Sequence, residues 1–189
     1  MIGHSYGAYT SLFLAVRHPE LVRSLVIAEA PAVSLLDYLP GEQAELGKAT
    51  LDDIRNHMVE PMVAAFRKGD QNAGVAAFIN YLSNDPNGWE KWSEQARQDT
   101  LRNAHEWDVM LTEGELFPDL RPEAVQKIKA PTLLLSGDKT FAFLKLIDEE
   151  LGRLIPSNRR VVLPGATHHL FYEQPEKCRS VIEEFLKQK

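Results

Sequence analysis

The chain has 189 residues, 44% of them hydrophobic, which is ordinary for a water-soluble globular protein and enough for a sizeable core. A formal net charge of -6 and a pI near 5.5 argue against nucleic acid or an anionic membrane as partner, since both favour a concentrated basic surface. Cys178, the one cysteine, can form no disulfide within the chain and no cysteine cluster for a metal. No apolar run approaches the roughly 20 residues of a membrane-spanning helix, and no basic-then-apolar leader follows Met1, so a cytoplasmic setting is expected.

Gly3-His4-Ser5-Tyr6-Gly7 opens the chain as G-x-S-x-G. Such a turn from strand to helix is so tight that its serine is expected in strained backbone geometry with the hydroxyl at the tip, crowded on both sides where the glycines stand. By chance the three fixed positions recur in about one chain of this length in twenty, so the pattern alone does not decide. Its context adds weight: Ala8 to Val16 is mostly small and apolar and ends at His18-Pro19, as a buried helix does. Only Met1 and Ile2 stand where a strand of about 5 or 6 residues usually leads in. The expectation is therefore a fragment, lacking an upstream segment and prone to associate through its open sheet edge.

Residues 21–28 form a branched apolar run, read as a buried parallel strand with Glu29 at its carboxyl end. From 31 to 126 the sequence turns polar and helical in period, broken at Pro40-Gly41, Gly69-Asp70, 84–88, Gly114 and Pro118. This segment is expected to be a helical insert. Within it Thr50 is expected to cap a helix reaching about Lys68, with Met58, Met62 and Phe66 on one stripe and a kink at Pro61. A second helix should start at Asp70, and a third should run from 88 to 110 with Trp89, Trp92 and Trp107. Residues 132–136 read as another buried strand ended by Gly137-Asp138, 143–154 as a helix, and 160–163 as a strand leading to Gly165-Ala166-Thr167-His168. An amphipathic helix from 175 to 187 closes the chain.

Strands alternating with helices imply a parallel sheet, and such sheets bind ligands beyond the carboxyl ends of their strands, where Ser5, Glu29, Asp138 and His168 all fall. Three stretches carry a family resemblance: GHSYGAYTSLFLAVRHPELVRSLVIAE, APTLLLSGD and VVLPGATHHLFYEQPE. In order and spacing they resemble the elbow with the sixth strand, the seventh strand, and the eighth strand with the histidine loop of serine α/β-hydrolases. The resemblance implies an α/β fold in which 1–30 and 127–189 form a partial hydrolase core (strands six to eight) and 31–126 a helical cap.

The same resemblance implies the roles. Ser5 is the expected nucleophile, His168 the expected base in preference to its neighbour His169, and the Tyr6 backbone N–H one half of an oxyanion hole. The other half belongs to a loop after the family's third strand, which has no counterpart here. For the acid, Glu29 and Asp138 compete. Many relatives carry it three residues beyond the glycine, where this chain has Thr140, which cannot serve; others, including some haloalkane dehalogenases, carry a glutamate at the end of strand six. The dehalogenases use an aspartate nucleophile, and Ser5 argues against that chemistry. Burial favours Glu29, because an unpaired charge ending an apolar strand is costly.

His4 is expected to pack beside the sheet, and His18, His57 and His105 show no metal-binding spacing. Met58, Met62, Phe66, Trp89, Trp92 and Trp107 are the candidates for lining a substrate pocket. The implied activity is hydrolysis of an ester or related carboxyl derivative of a small molecule, with no cofactor. A hydrolase-like small-molecule binding protein and an inactive fragment are the alternatives, and the sequence leaves the oligomeric state open.

Overall fold

The computed structural model describes residues 1–112 and 116–187; Gly114, one of the expected breaks, lies outside them. Two compact units emerge, Met1–Gly47 with Asp119–Lys189, and Lys48–Pro118.

In the first unit, β1 (Ile2–His4), β2 (Leu25–Ala28), β3 (Thr132–Gly137) and β4 (Asn158–Leu163) form one parallel sheet in that order. Strand β2 is shorter than the apolar run suggested, because Pro19 sets up a 3-10 turn over Pro19–Leu21 that Val22 closes by donating to the Pro19 carbonyl. The β1–β2 crossover is α1 (Tyr6–Arg17). Crowding at the elbow is one-sided: a Cβ on Gly3 would lie 2.5 Å from the Gly7 carbonyl oxygen and 2.6 Å from Ala8 Cα, whereas one on Gly7 would meet nothing within 4 Å. The expected crowding at Gly7 is thus corrected; the close approach is of the first turn of α1 to β1.

Helix α2 (Gln43–Ile54) starts seven residues before Thr50, which sits inside it and not at its cap. The turn at Pro40-Gly41 starts the helix instead, with Gln43 N–H donating to the Pro40 carbonyl and Gly41 at a φ of 58°. Gly47 does not break it, and its missing side chain leaves room for the Leu36 carbonyl, 2.1 Å from where a Cβ would stand. A wider π turn over Arg55–Val59 then precedes α3 (Glu60–Phe66). Pro61 accounts for it: proline has no N–H to give and its ring crowds the carbonyl four residues back. Asp70 caps α4 (Gln71–Ser83), its carboxylate accepting from Ala73 N–H at 2.9 Å. The single helix expected over 88–110 is three pieces: a 3-10 turn (Trp89–Lys91), α5 (Glu94–Leu101) and α6 (Ala104–Thr112). Extended backbone at Trp92 and Ser93 makes the break, and the Ser93 hydroxyl caps α5 by accepting from Ala96 N–H.

The first unit resumes at Asp119 with α7 (Pro122–Val125), followed by β3, α8 (Ala142–Leu154), β4, α9 (Leu170–Glu173) and α10 (Pro175–Lys187). The register pairs His4 with Ala28, Ala28 with Leu135 and Leu135 with Val161, which puts these residues on one face. Ala28, Leu135 and Leu163 on that face pack with Leu170 of α9 and Cys178, Ile182 and Phe185 of α10. On the opposite face Arg160 reaches α8, its Nε 2.5 Å from the buried Asp148 carboxylate, to which the Ser136 hydroxyl also donates. Burial pushes the Asp148 carboxyl up, with Arg160 pulling the other way. Among the described residues no helix is long and apolar enough to cross a membrane.

Gly3→Ala is expected to lower stability by about 3 kcal/mol or prevent folding, because the new methyl meets backbone that cannot swing aside. Urea unfolding checks this; a midpoint equal to the parent's would show that α1 can shift away from β1.

Candidate active site

Ser5 occupies the turn between β1 and α1 with φ 53° and ψ -126°, a strained conformation for a residue with a side chain. The elbow is held from both sides, since Ser5 N–H donates to Ala28 O at 2.9 Å while Ser5 O accepts from Ala8 and Tyr9 N–H. Tyr6 is the first residue of α1, so its N–H lies at the helix end where backbone donors point outward.

Glu29 follows β2 with φ 56°, and its side chain is fully excluded from solvent. Three donors converge on the carboxylate. Gly137 N–H reaches Oε1 at 2.8 Å, while the Thr140 hydroxyl and His168 Nδ1, the latter at 3.1 Å, both reach Oε2. His168 sits on the loop after β4, and its Nε2 is 3.1 Å from the Ser5 hydroxyl oxygen. An ionised carboxylate can only accept, so the Nδ1 of His168 carries the proton. Nε2 of the neutral ring is then bare and can take the proton of the Ser5 hydroxyl.

Asp138 takes no part in this relay. Exposed at the end of β3, its Oδ1 accepts from Gly165 N–H at 2.6 Å, while the next residue, Lys139, donates its N–H to Ala166 O. Asp138 thereby fastens the histidine loop without facing the histidine. Glu173 fastens it further along, accepting from both the N–H and the hydroxyl of Thr167 at 2.7 Å, and these bonds hold its carboxyl below the usual range.

His169 donates its backbone N–H to Thr167, and its ring lies 5.8 Å from that of His168. His4 packs beside the sheet as its place in the elbow suggested, and its Nε2 also contacts the His168 carbonyl at 2.9 Å. Burial pushes its imidazole below the ordinary value. The other histidines are exposed: His18 beside Glu20, His57 bonded to Asp53, and His105 over the Arg102 carbonyl. Asp53 also accepts from Tyr81, whose hydroxyl is pushed up chiefly by burial.

The candidate pocket residues lie in the second unit. Met58, Met62, Phe66 and Trp89 are buried, Trp92 is exposed, and Trp107 stands edge-on to Phe78. Phe66 packs where Gly74 has no side chain, and the Trp89 indole donates to Asn72. Phe66 and Trp89 are thus engaged in packing within the second unit.

Residues 1–175 match the family described as alpha/beta hydrolase fold. The chain belongs to that family. It is 28% identical over 198 residues to a Bacillus subtilis protein provisionally named 2-succinyl-6-hydroxy-2,4-cyclohexadiene-1-carboxylate synthase, covering 98% of this chain and 65% of the relative. To the Mus musculus sn-1-specific diacylglycerol lipase ABHD11 it is 25% identical over 193 residues, covering 98% of this chain and 58% of that one. The chain thus spans less than two thirds of either relative. Among solved structures it is similar in fold to MenH from S. aureus, with a TM-score of 0.65 at 21% identity, covering 99% of this chain and 67% of the other.

Sequence reasoning missed Thr140, which it discarded as a carboxylate substitute. Its hydroxyl serves the acid that stands elsewhere, a link across 111 positions that no local pattern announces. Thr140→Val is expected to cost about 1.5–3 kcal/mol, the worth of a hydrogen bond to a charged group, while Thr140→Ser keeps most of it. Chemical denaturation of the two variants decides; equal stability would show that the hydroxyl carries nothing.

Proposed function

We propose that the protein is a serine hydrolase acting on an ester or related carboxyl derivative of a small molecule through an acyl-serine intermediate. The observation that carries this reading is the unbroken contact line from Ser5 Oγ to His168 Nε2 and from His168 Nδ1 to Glu29, each 3.1 Å long. Membership of the alpha/beta hydrolase family supports it, as does similarity to a relative named for cleaving an ester lipid.

In this mechanism Ser5 Oγ attacks the substrate carbonyl carbon as His168 Nε2 takes the hydroxyl proton. The carbonyl oxygen becomes an oxyanion, and the Tyr6 N–H at the head of α1 is the proposed donor to it. Collapse of the tetrahedral species breaks the bond to the leaving alcohol, which departs with the proton from His168. Water then attacks the acyl-serine, giving its proton to the same nitrogen, and the acid is released with Ser5 restored. Glu29 fixes the tautomer throughout and stabilises the imidazolium each time it forms. Residues 31–126 are proposed as a helical cap, as the family resemblance implies.

Replacing the acid of such a triad by its amide typically lowers turnover about 10,000-fold. Glu29→Gln is therefore expected to abolish most hydrolysis of p-nitrophenyl acetate with the circular dichroism spectrum unchanged, whereas Asp138→Asn costs about tenfold or less. The opposite ranking would assign the acid role to Asp138.

A further inference from the structure

We infer that His4, the residue immediately before the serine, is a positioning residue that holds His168 by its backbone. Alternation along β1 sets its direction, because Gly3 faces α1 and His4 therefore faces the other side of the sheet, toward α9. There its ring stands edge-on to Phe171 at 5.4 Å and lies tilted against the His168 ring at 4.8 Å. The 2.9 Å contact from Nε2 ends on the His168 carbonyl oxygen, which can only accept, so Nε2 carries the proton.

Several side chains fasten the loop bearing His168, Gln174 among them through the Pro164 carbonyl. Asp138 holds Gly165 and Glu173 holds Thr167, but His4 alone among these grips the main chain of His168 itself. It does so from one residue before Ser5. His4 thereby ties the main chain of the base directly to the strand that delivers the nucleophile, while Glu29 holds its ring. A small error in the spacing of base and nucleophile costs rate steeply, since about 1 Å of misplacement can cost a hundredfold.

A charged His4 would defeat this arrangement, because His168 becomes an imidazolium in every turnover. Burial keeps His4 neutral, and the ionisable groups that face it are His168 and His169 from the loop after β4 and Glu29 after β2. Its imidazole is held below the ordinary value near 6.5, so the neutral form stabilises the fold above that pH. That contribution is lost as the pH falls through the lowered value.

The inference rests on the proposed serine mechanism, and two readouts keep them separable. One is hydrolysis of p-nitrophenyl acetate. His4→Phe keeps a ring and loses the donor; it should lower kcat about tenfold or more with KM little changed. His4→Gln, whose amide N–H has the same reach, should recover to within about threefold of the parent. The other readout needs no turnover: the far-downfield proton resonance of the His168 Nδ1–H bonded to Glu29 should persist in the parent and in His4→Gln and broaden or vanish in His4→Phe. Should His4→Phe fail to fold, His4→Asn, whose amide falls short of the carbonyl, takes its place. Parent-like kcat together with an undisturbed resonance in the donor-less variant would reduce His4 to a space-filling residue. A parent that hydrolyses no ester would overturn the serine mechanism alone, and the resonance would still decide the role of His4.

Discussion

A carboxylate sealed from water sets the terms for everything around it. Glu29 has a side chain with no solvent exposure, and an ion in that position is tolerable only when donors surround it. Its donors come from the end of β3, from the residues just after it, and from the loop following β4. Two segments distant in sequence, 137–140 and the loop of His168, are thereby fixed to the end of β2. Removing one hydrogen-bond donor from such a buried ion typically costs about 1.5–3 kcal/mol, so the arrangement is far from soft.

The parallel sheet is what brings these segments to one edge. Ser5 follows β1, Glu29 follows β2, Gly137 ends β3 and His168 follows β4, so each strand delivers one group at its carboxyl end. Backbone strain concentrates at the same edge. Of the three described non-glycine residues with positive φ, Asn84 terminates α4, and the other two are Ser5 and Glu29. Strain of about 1–3 kcal/mol per residue survives only where surrounding contacts over-determine the geometry, as the Ala28 carbonyl and the first turn of α1 do for Ser5.

Legibility in the sequence followed the range of the interaction. The branched runs before Glu29 and Gly137 announced strands, the small apolar residues after Ser5 announced a helix, and Asp70 announced a cap, because each is decided by neighbours a few residues away. Thr50 misled for the same reason. Its preference for a cap is real, but the turn at Pro40-Gly41 had already started the helix, and propensity yields to a chain already turning. The need for a partner at Glu29 was readable from an ion ending an apolar strand. That Thr140 and Gly137 supply donors, and that Asp138 turns away to Gly165, depends on pairings across 27 to 111 positions, which no window of sequence contains.

The most direct test of the account is to find where a fluorophosphonate forms its covalent bond. The protein is treated with diisopropyl fluorophosphate, digested, and the adduct located by peptide mass spectrometry. The account predicts one phosphorylated residue, Ser5, and no adduct after Ser5→Ala. An adduct on another serine, undiminished in the alanine variant, would contradict it and leave the elbow as a structural turn.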